Sequence, residues 1–129
     1  MNIYSINNAE CRLGAFNLSI SDCAIEKGKI YSVLGPNGSG KSSFLNLLAL
    51  LNPPRCGQIA FEGQNVRFGG KRALLPLRRR IAYLTQNPYL FNMTVIENIG
   101  YGLRVRGVPG ANSLRQVENI MRRLDILHL

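Results

Sequence analysis

Gly35-Pro36-Asn37-Gly38-Ser39-Gly40-Lys41-Ser42 fits the spacing G-x-x-x-x-G-K-[ST], the pattern of a phosphate-binding loop. Its chemistry follows from the residue types. The glycines let the backbone take conformations closed to other residues and approach a ligand closely. Backbone N–H groups then converge on an anion where a helix begins and its first donors are free. Lys41 reaches the outer phosphates, and the Ser42 hydroxyl is the expected Mg²⁺ ligand. Gly35, Pro36, Asn37, Gly38, Ser39, Gly40, Lys41, Ser42 and Ser43 are therefore the candidate phosphate-binding residues.

The neighbours of this stretch set its context. Ile30-Tyr31-Ser32-Val33-Leu34 is short, apolar and β-prone, which predicts a buried parallel strand. Phe44 to Leu51 is apolar almost throughout, which predicts a helix over 41–51, stopped by Asn52-Pro53-Pro54. Strand, glycine loop and helix in that order distinguish a site from a chance glycine-rich turn.

Working outward, residues 2–6 read as a first strand and Asn7 to Gly14 as a polar turn. Phe16 to Ile20 alternates as a half-buried strand does, and Glu26 to Lys29 turns at Gly28. Gly57 to Phe61 is a further short strand closed by Glu62-Gly63. Arg72 to Arg79 suits a short helix interrupted or opened by Pro76. Ile81 to Thr85 is a second run of buried-strand type, with Gln86 at its C-terminal end, the edge where open α/β sheets bind ligands. Thr94-Val95-Ile96-Glu97 is a capping box, so a helix begins there and ends at Gly107. Ser113 to Gln116 is a second such box, opening a helix with Leu114, Val117, Met121, Leu124 and Leu127 on one face.

Composition bounds the rest. A chain of 129 residues with 46% apolar and 18% charged residues can bury a core and reads as soluble and globular. No apolar run is long enough for a membrane-spanning helix, and the N-terminus lacks the pattern of a signal peptide. Cys11, Cys23 and Cys56 are too few and too scattered for a metal motif or a disulfide framework, and read as reduced thiols. The net charge of +9 asks for a negatively charged partner. The basic residues neither alternate with aromatics nor fall in a nucleic-acid motif, and Arg78-Arg79-Arg80 reads as a solvated edge, so nucleic acid is not the expected partner. A nucleotide or an acidic lipid surface accounts for the charge equally well.

Taken together, the glycine loop, Leu50-Leu51-Asn52-Pro53-Pro54, Gly57-Gln58-Ile59, Arg79 to Pro88, Leu90-Phe91 and Thr94-Val95-Ile96-Glu97-Asn98-Ile99 resemble the N-terminal half of an ABC transporter nucleotide-binding domain. The resemblance covers essentially the whole chain. It implies an α/β fold, the P-loop NTPase fold of ABC type, incomplete, with the start of the helical subdomain. Residues 1–86 would form a partial RecA-like core with antiparallel strands and the Walker A loop. Residues 87–129 would carry the Q-loop and the first helices of the subdomain. The ligands implied are ATP and Mg²⁺. Gln86 would be the Q-loop glutamine, a catalytic residue and metal ligand beside Ser42. The partners implied are transmembrane permease subunits, one of which would seat a helix against residues 87–93, and a second nucleotide-binding subunit. The location implied is cytoplasmic, peripheral on the inner face of the membrane. The wording around Leu47 to Pro54 and Ile99 to Gly107 is most similar to importers of the tungstate and molybdate type.

Two departures bear on mechanism. The family stacks adenine on an aromatic residue after the first strand, whereas Glu10-Cys11-Arg12-Leu13-Gly14 holds none. Arg12, by a cation–π contact, and Phe16 are the alternatives. No signature motif, strand ending in Asp-Glu or switch histidine occurs before Leu129, and His128 reads as a helix-end residue. The expectation is a truncated domain that binds ATP without hydrolysing it. Two other readings compete: a non-catalytic nucleotide-dependent interaction module, and a small P-loop kinase or GTPase. The second has no base-reading Asn-Lys-x-Asp stretch to support it.

Overall fold

A computed structural model describes residues 1–13 and 16–128. The chain divides into two compact units, Met1–Tyr83 and Leu84–Leu129.

The first unit is organised by an antiparallel sheet. β1 (Asn2–Leu13) lies between β2 (Phe16–Glu26) and β3 (Cys56–Phe61), and β4 (Gln64–Asn65) pairs with β3, giving the order β2-β1-β3-β4. Ile6 faces Cys23 on one side and Ile59 on the other. Tyr4, Ile6, Ala9, Cys11, Ile59 and Phe61 are buried together with Leu47 of helix α1 (Lys41–Leu48). Burying each large apolar side chain contributes about 1.5–3 kcal/mol relative to leaving it in water. The Tyr4 hydroxyl donates to the Leu48 carbonyl at 2.7 Å, tying the sheet to the last turn of α1, and its ring meets Phe61 at 4.9 Å. Burial, and secondarily the Glu62 carboxylate, pushes the Tyr4 phenol up to about 12.

The expected turn from Asn7 to Gly14 is instead the second half of β1. Asn8 takes a left-handed φ of 47° where the pairing with β3 slips between Asn7 and Glu10. A bulge of this kind absorbs polar residues without ending the strand. Gly14 itself lies outside the described residues. The strand expected over 16–20 continues to Glu26, with Phe16, Leu18 and Ile20 on its less exposed face.

Helix α1 stops at Leu48, before the prolines. Leu50 sits at φ 56°, its N–H donates to Leu47, and the Leu51 N–H donates to Asn46. This is a Schellman end with leucine where glycine is usual. A leucine tolerates that conformation at a cost of about 1–2 kcal/mol, which is offset because its side chain is wholly buried. Arg78 then donates to the Leu50 carbonyl through Nε at 3.1 Å and Nη2 at 2.6 Å. Arg80 pairs with Glu62 and lies over the Phe61 ring. The basic run expected as a solvated edge is thus partly structural: it fastens α2 (Lys71–Arg78), which runs through Pro76, to the end of α1 and to the sheet.

Two expected strands are not formed. Ile30–Leu34 and Ile81–Thr85 have no regular structure. Ile30 is 98% exposed and Leu34 89% exposed, so these are not buried strands. A parallel strand exists only through neighbours that accept its hydrogen bonds and cover both faces. Among the described residues nothing pairs with either stretch.

The second unit is a helical hairpin of α3 (Val95–Val105) and α4 (Gly110–Arg123). Val117 and Met121 are buried, and Val117 packs close to the bare backbone of Gly100. The expected capping box at Ser113 does not open α4, which begins three residues earlier after Pro109. Leu114, Leu124 and Leu127 of the expected apolar face are exposed. No helix of the described residues is long and apolar enough to cross a membrane.

Candidate functional site

The glycine loop runs directly into α1. Gly40 precedes Lys41 at φ 92° and supplies no side-chain cap, and the first turn contains no acidic residue. The first N–H donors of a helix have no partner within it, so this terminus is suited to an anion. The loop is folded on itself, with the Ser39 N–H donating to the Pro36 carbonyl at 3.3 Å. Gly35 sits so close to Ser39 that a Cβ there would come within 2.6 Å of the Ser39 hydroxyl.

Lys41 is drawn back over the loop. Its Nζ donates to the carbonyls of Gly35 and Pro36, both at 2.8 Å. The ammonium therefore stands at the loop's own rim. Asn37, Gly38, Ser39 and Ser42 are exposed, and Ser43 is half-buried.

These residues fit the ligands that the spacing implies. The uncapped helix start, the glycine backbone and Lys41 have the chemistry that a phosphate-binding loop requires. Mg²⁺ binds through few protein groups and takes most of its ligands from phosphate and water. One exposed hydroxyl, that of Ser42, meets that requirement.

Gln86 belongs to the second unit. It is exposed and lies in the irregular stretch after Thr85, whose hydroxyl donates to the Asn87 carbonyl at 2.9 Å. The expected strand before it is not formed, so Gln86 is not at a strand end.

Beyond it, Asn87 to Met93 is fastened to α3. Thr94 caps the helix: its hydroxyl accepts from the Glu97 N–H at 3.3 Å, and Glu97 accepts from the Thr94 N–H at 2.8 Å. The Thr94 N–H and the Thr94 hydroxyl, both donating to the carboxylate, hold the Glu97 carboxyl below its ordinary range. Asn98 does more than the sequence showed. Its Nδ2 donates to the carbonyls of Phe91, Met93 and Thr94, and its Oδ1 accepts from the Phe91 N–H. One side chain thereby fixes the loop's exit. The Phe91 ring lies between Tyr89 and Tyr101, at 5.4 and 4.4 Å, while Tyr89 and Leu90 stay exposed.

The three cysteines are free, and burial pushes the Cys11 thiol up, away from the reactive thiolate.

Comparison with known proteins bears on all of this. The family model described as "ABC transporter" matches residues 18–129. The molybdate/tungstate import ATP-binding protein WtpC of Thermococcus kodakarensis is 38% identical over 115 residues, covering 88% of this chain and 33% of that protein. The phosphate import ATP-binding protein PstB 2 of Natronomonas pharaonis is 41% identical over 112 residues, covering 82% of this chain and 39% of that protein. Among solved structures, cbiO1 from Clostridium perfringens, part of the ABC transporter complex cbiONQ, superimposes with a TM-score of 0.83 at 23% identity. That match covers 99% of this chain and 52% of the solved one. The chain thus spans between a third and two-fifths of the length of these curated relatives and about half of that structure.

Proposed function

The chain belongs to the ABC transporter family, and from that premise we propose that its Gly35–Ser43 loop binds the phosphates of ATP to power the import of a small solute. One observation carries this reading: α1 begins uncapped after a left-handed Gly40, with the Lys41 ammonium held on the loop carbonyls. In this reading the backbone donors of residues 38–43 bind the phosphate oxygens and Lys41 neutralises their charge. Bound Mg²⁺ would supply further charge neutralisation, with the Ser42 hydroxyl and Gln86 as protein ligands. Gln86 is also assigned to orienting the attacking water.

The partners proposed are transmembrane permease subunits and a second nucleotide-binding subunit, which puts the protein on the cytoplasmic face of the membrane. Support for the permease comes from the exposed Tyr89 and Leu90, presented by a loop that Asn98 holds in one conformation. A rigid apolar projection of this kind suits a docking surface. The solute proposed is a tetrahedral oxyanion, on the likeness to importers of molybdate or tungstate and of phosphate.

Lys41→Ala tests the phosphate assignment. Titration calorimetry with ATP is expected to show binding abolished, and unchanged affinity would overturn the reading. Gln86→Ala is expected to leave metal-free ATP binding intact, because its assigned contacts are to metal and water. A large loss of affinity without metal would remove Gln86 from that role.

A further inference from the structure

The positive charge of the chain is concentrated in one interval. No acidic residue occurs between Glu62 and Glu97, and that interval holds Arg67, Lys71, Arg72, Arg78, Arg79 and Arg80. Two of these cations serve the fold: Arg78 bonds the Leu50 carbonyl, and Arg80 pairs with Glu62.

The helix among them has two distinct sides. Leu74 is buried, Leu77 packs against the core and Arg78 reaches the end of α1, so these residues mark the inner side of α2. Arg72, Leu75, Pro76 and Arg79 recur at i, i+3, i+4 and i+7, which puts them together on one side of a helix. All four are exposed, and the backbone stays helical through Arg79. The outer side of α2 is therefore a leucine and a proline flanked by two arginines. Arg67, on the segment that leads into the helix, is exposed as well.

We propose that the outer side of α2 rests on a bilayer of acidic lipid, with Arg72 and Arg79 on the headgroups and Leu75 in the boundary beneath them. This contact is additional to the permease surface proposed around Tyr89 and Leu90. It uses no residue of the glycine loop, so it stands or falls independently of the ATP assignment. Charge complementarity carries it. A guanidinium matches phosphate through paired hydrogen bonds, while its stem lies along apolar surface. An exposed leucine between two arginines favours a ligand that is anionic at its surface and apolar below. That is the layering of a lipid monolayer, and a basic amphipathic helix is the element that binds it. Helix α4 also carries exposed arginines, but there Glu118 shares a surface with Arg115 and Arg122 and offsets their charge.

The experiment is flotation of the full chain with vesicles of phosphatidylcholine alone, and of phosphatidylcholine mixed with phosphatidylserine, at low and high salt. Wild type is expected to float with the acidic vesicles, not with the neutral ones, and to be released as salt screens the charges. Each basic residue at an acidic surface contributes about fivefold, so Arg72→Gln/Arg79→Gln should weaken partition about thirtyfold. Arg72→Lys/Arg79→Lys keeps the charge and should retain most of the binding. Leu75→Gln keeps every charge and should weaken partition severalfold. Arg115→Gln/Arg122→Gln removes the same charge from α4 and should float as wild type does. Equal flotation with neutral vesicles would overturn the proposal, because exposed apolar residues elsewhere would then suffice. So would equal losses in the α2 and α4 pairs, which would make net charge the cause. A Leu75→Gln variant that floats as wild type does would refute the seating of that side chain in lipid. Binding to soluble polyglutamate without flotation would assign the face to an acidic protein and refute the lipid contact.

Discussion

Gly40→Ala separates two physical effects at the start of α1. The first is backbone strain. Gly40 has φ 92°, and a residue with a Cβ held in the left-handed region costs about 1–2 kcal/mol. The second is overpacking. The new methyl group would stand 2.7 Å from two carbons of the Phe16 ring, and forcing a group into occupied space typically costs about 1–3 kcal/mol. The sum, about 2–5 kcal/mol, is a large part of the 5–15 kcal/mol that holds a typical domain together. Urea denaturation followed by far-UV circular dichroism measures it. The two parts come apart in a Phe16→Ala background, where the ring is gone and the backbone strain remains. There Gly40→Ala should cost only about 1–2 kcal/mol. An equal cost in both backgrounds would refute the ring contact. A neutral Gly40→Ala in either background would refute the left-handed conformation, and with it the account of how α1 starts without a cap.

Two further outcomes are expected. The Tyr4 phenol is buried and ionises at about 12, two units above its ordinary 10.0. Between those values the unfolded chain releases the proton while the folded chain keeps it, so stability is intact below pH 10 and falls as pH rises toward 12, by about 3 kcal/mol at most. Tyr4→Phe should abolish this alkaline loss while costing about 0.5–1.5 kcal/mol near neutrality for the bond to Leu48; denaturation profiles from pH 8 to 12 that run parallel in the two proteins would contradict it. The second outcome concerns turnover. Asp22 is exposed on β2 and Asp125 follows α4, so neither aspartate ends a buried strand where it could serve metal or water. Binding without such groups does not accelerate hydrolysis, and the polypeptide of residues 1–129 should release phosphate from ATP no faster than its Lys41→Ala variant in a coupled assay. Turnover clearly above that control would show that a complete site lies within these residues.

The features legible in the sequence were those whose cause is local. The glycine loop, the start of α1 and the Thr94–Glu97 box depend on residues within a few positions of one another. Their side-chain types dictate the outcome almost alone. The bulge that carries β1 through Asn7 and Asn8 was not legible. Polar residues there look like a turn until the pairing partners on β2 and β3 are known. The role of Asn98 was hidden for the same reason. Asn98 reads as an ordinary polar residue in a helix, yet it binds three carbonyls of the preceding loop. Nothing in the spacing from Phe16 to Gly40 announces that a strand's first residue will rest on a helix's first turn. Arg78 and Arg80 looked like solvated charge because their acceptors, the Leu50 carbonyl and Glu62, are distant in sequence.

Ile30–Leu34 and Ile81–Thr85 show the opposite failure. Their composition is that of parallel strands at the centre of an α/β sheet, and the chain belongs to a family in which such strands are expected beside the phosphate loop. Composition records what a segment requires of its surroundings. It cannot supply them. A parallel strand has no partner four residues away, as a helix does. Its hydrogen bonds and both of its faces must be completed by segments far off in the chain. The antiparallel sheet of residues 2–65 meets this condition internally, because β1, β2 and β3 bring one another's partners. The two apolar runs do not, and apart from the partly buried Ile81 they stand exposed with the residues of buried strands. The phosphate loop nevertheless keeps its form between one such run and α1. Its geometry is held from the helix side, by Gly40, by the Lys41 bonds to Gly35 and Pro36, and by Phe16 on β2. The form of the glycine loop, as described, is thus held by contacts from the helix and from the antiparallel sheet.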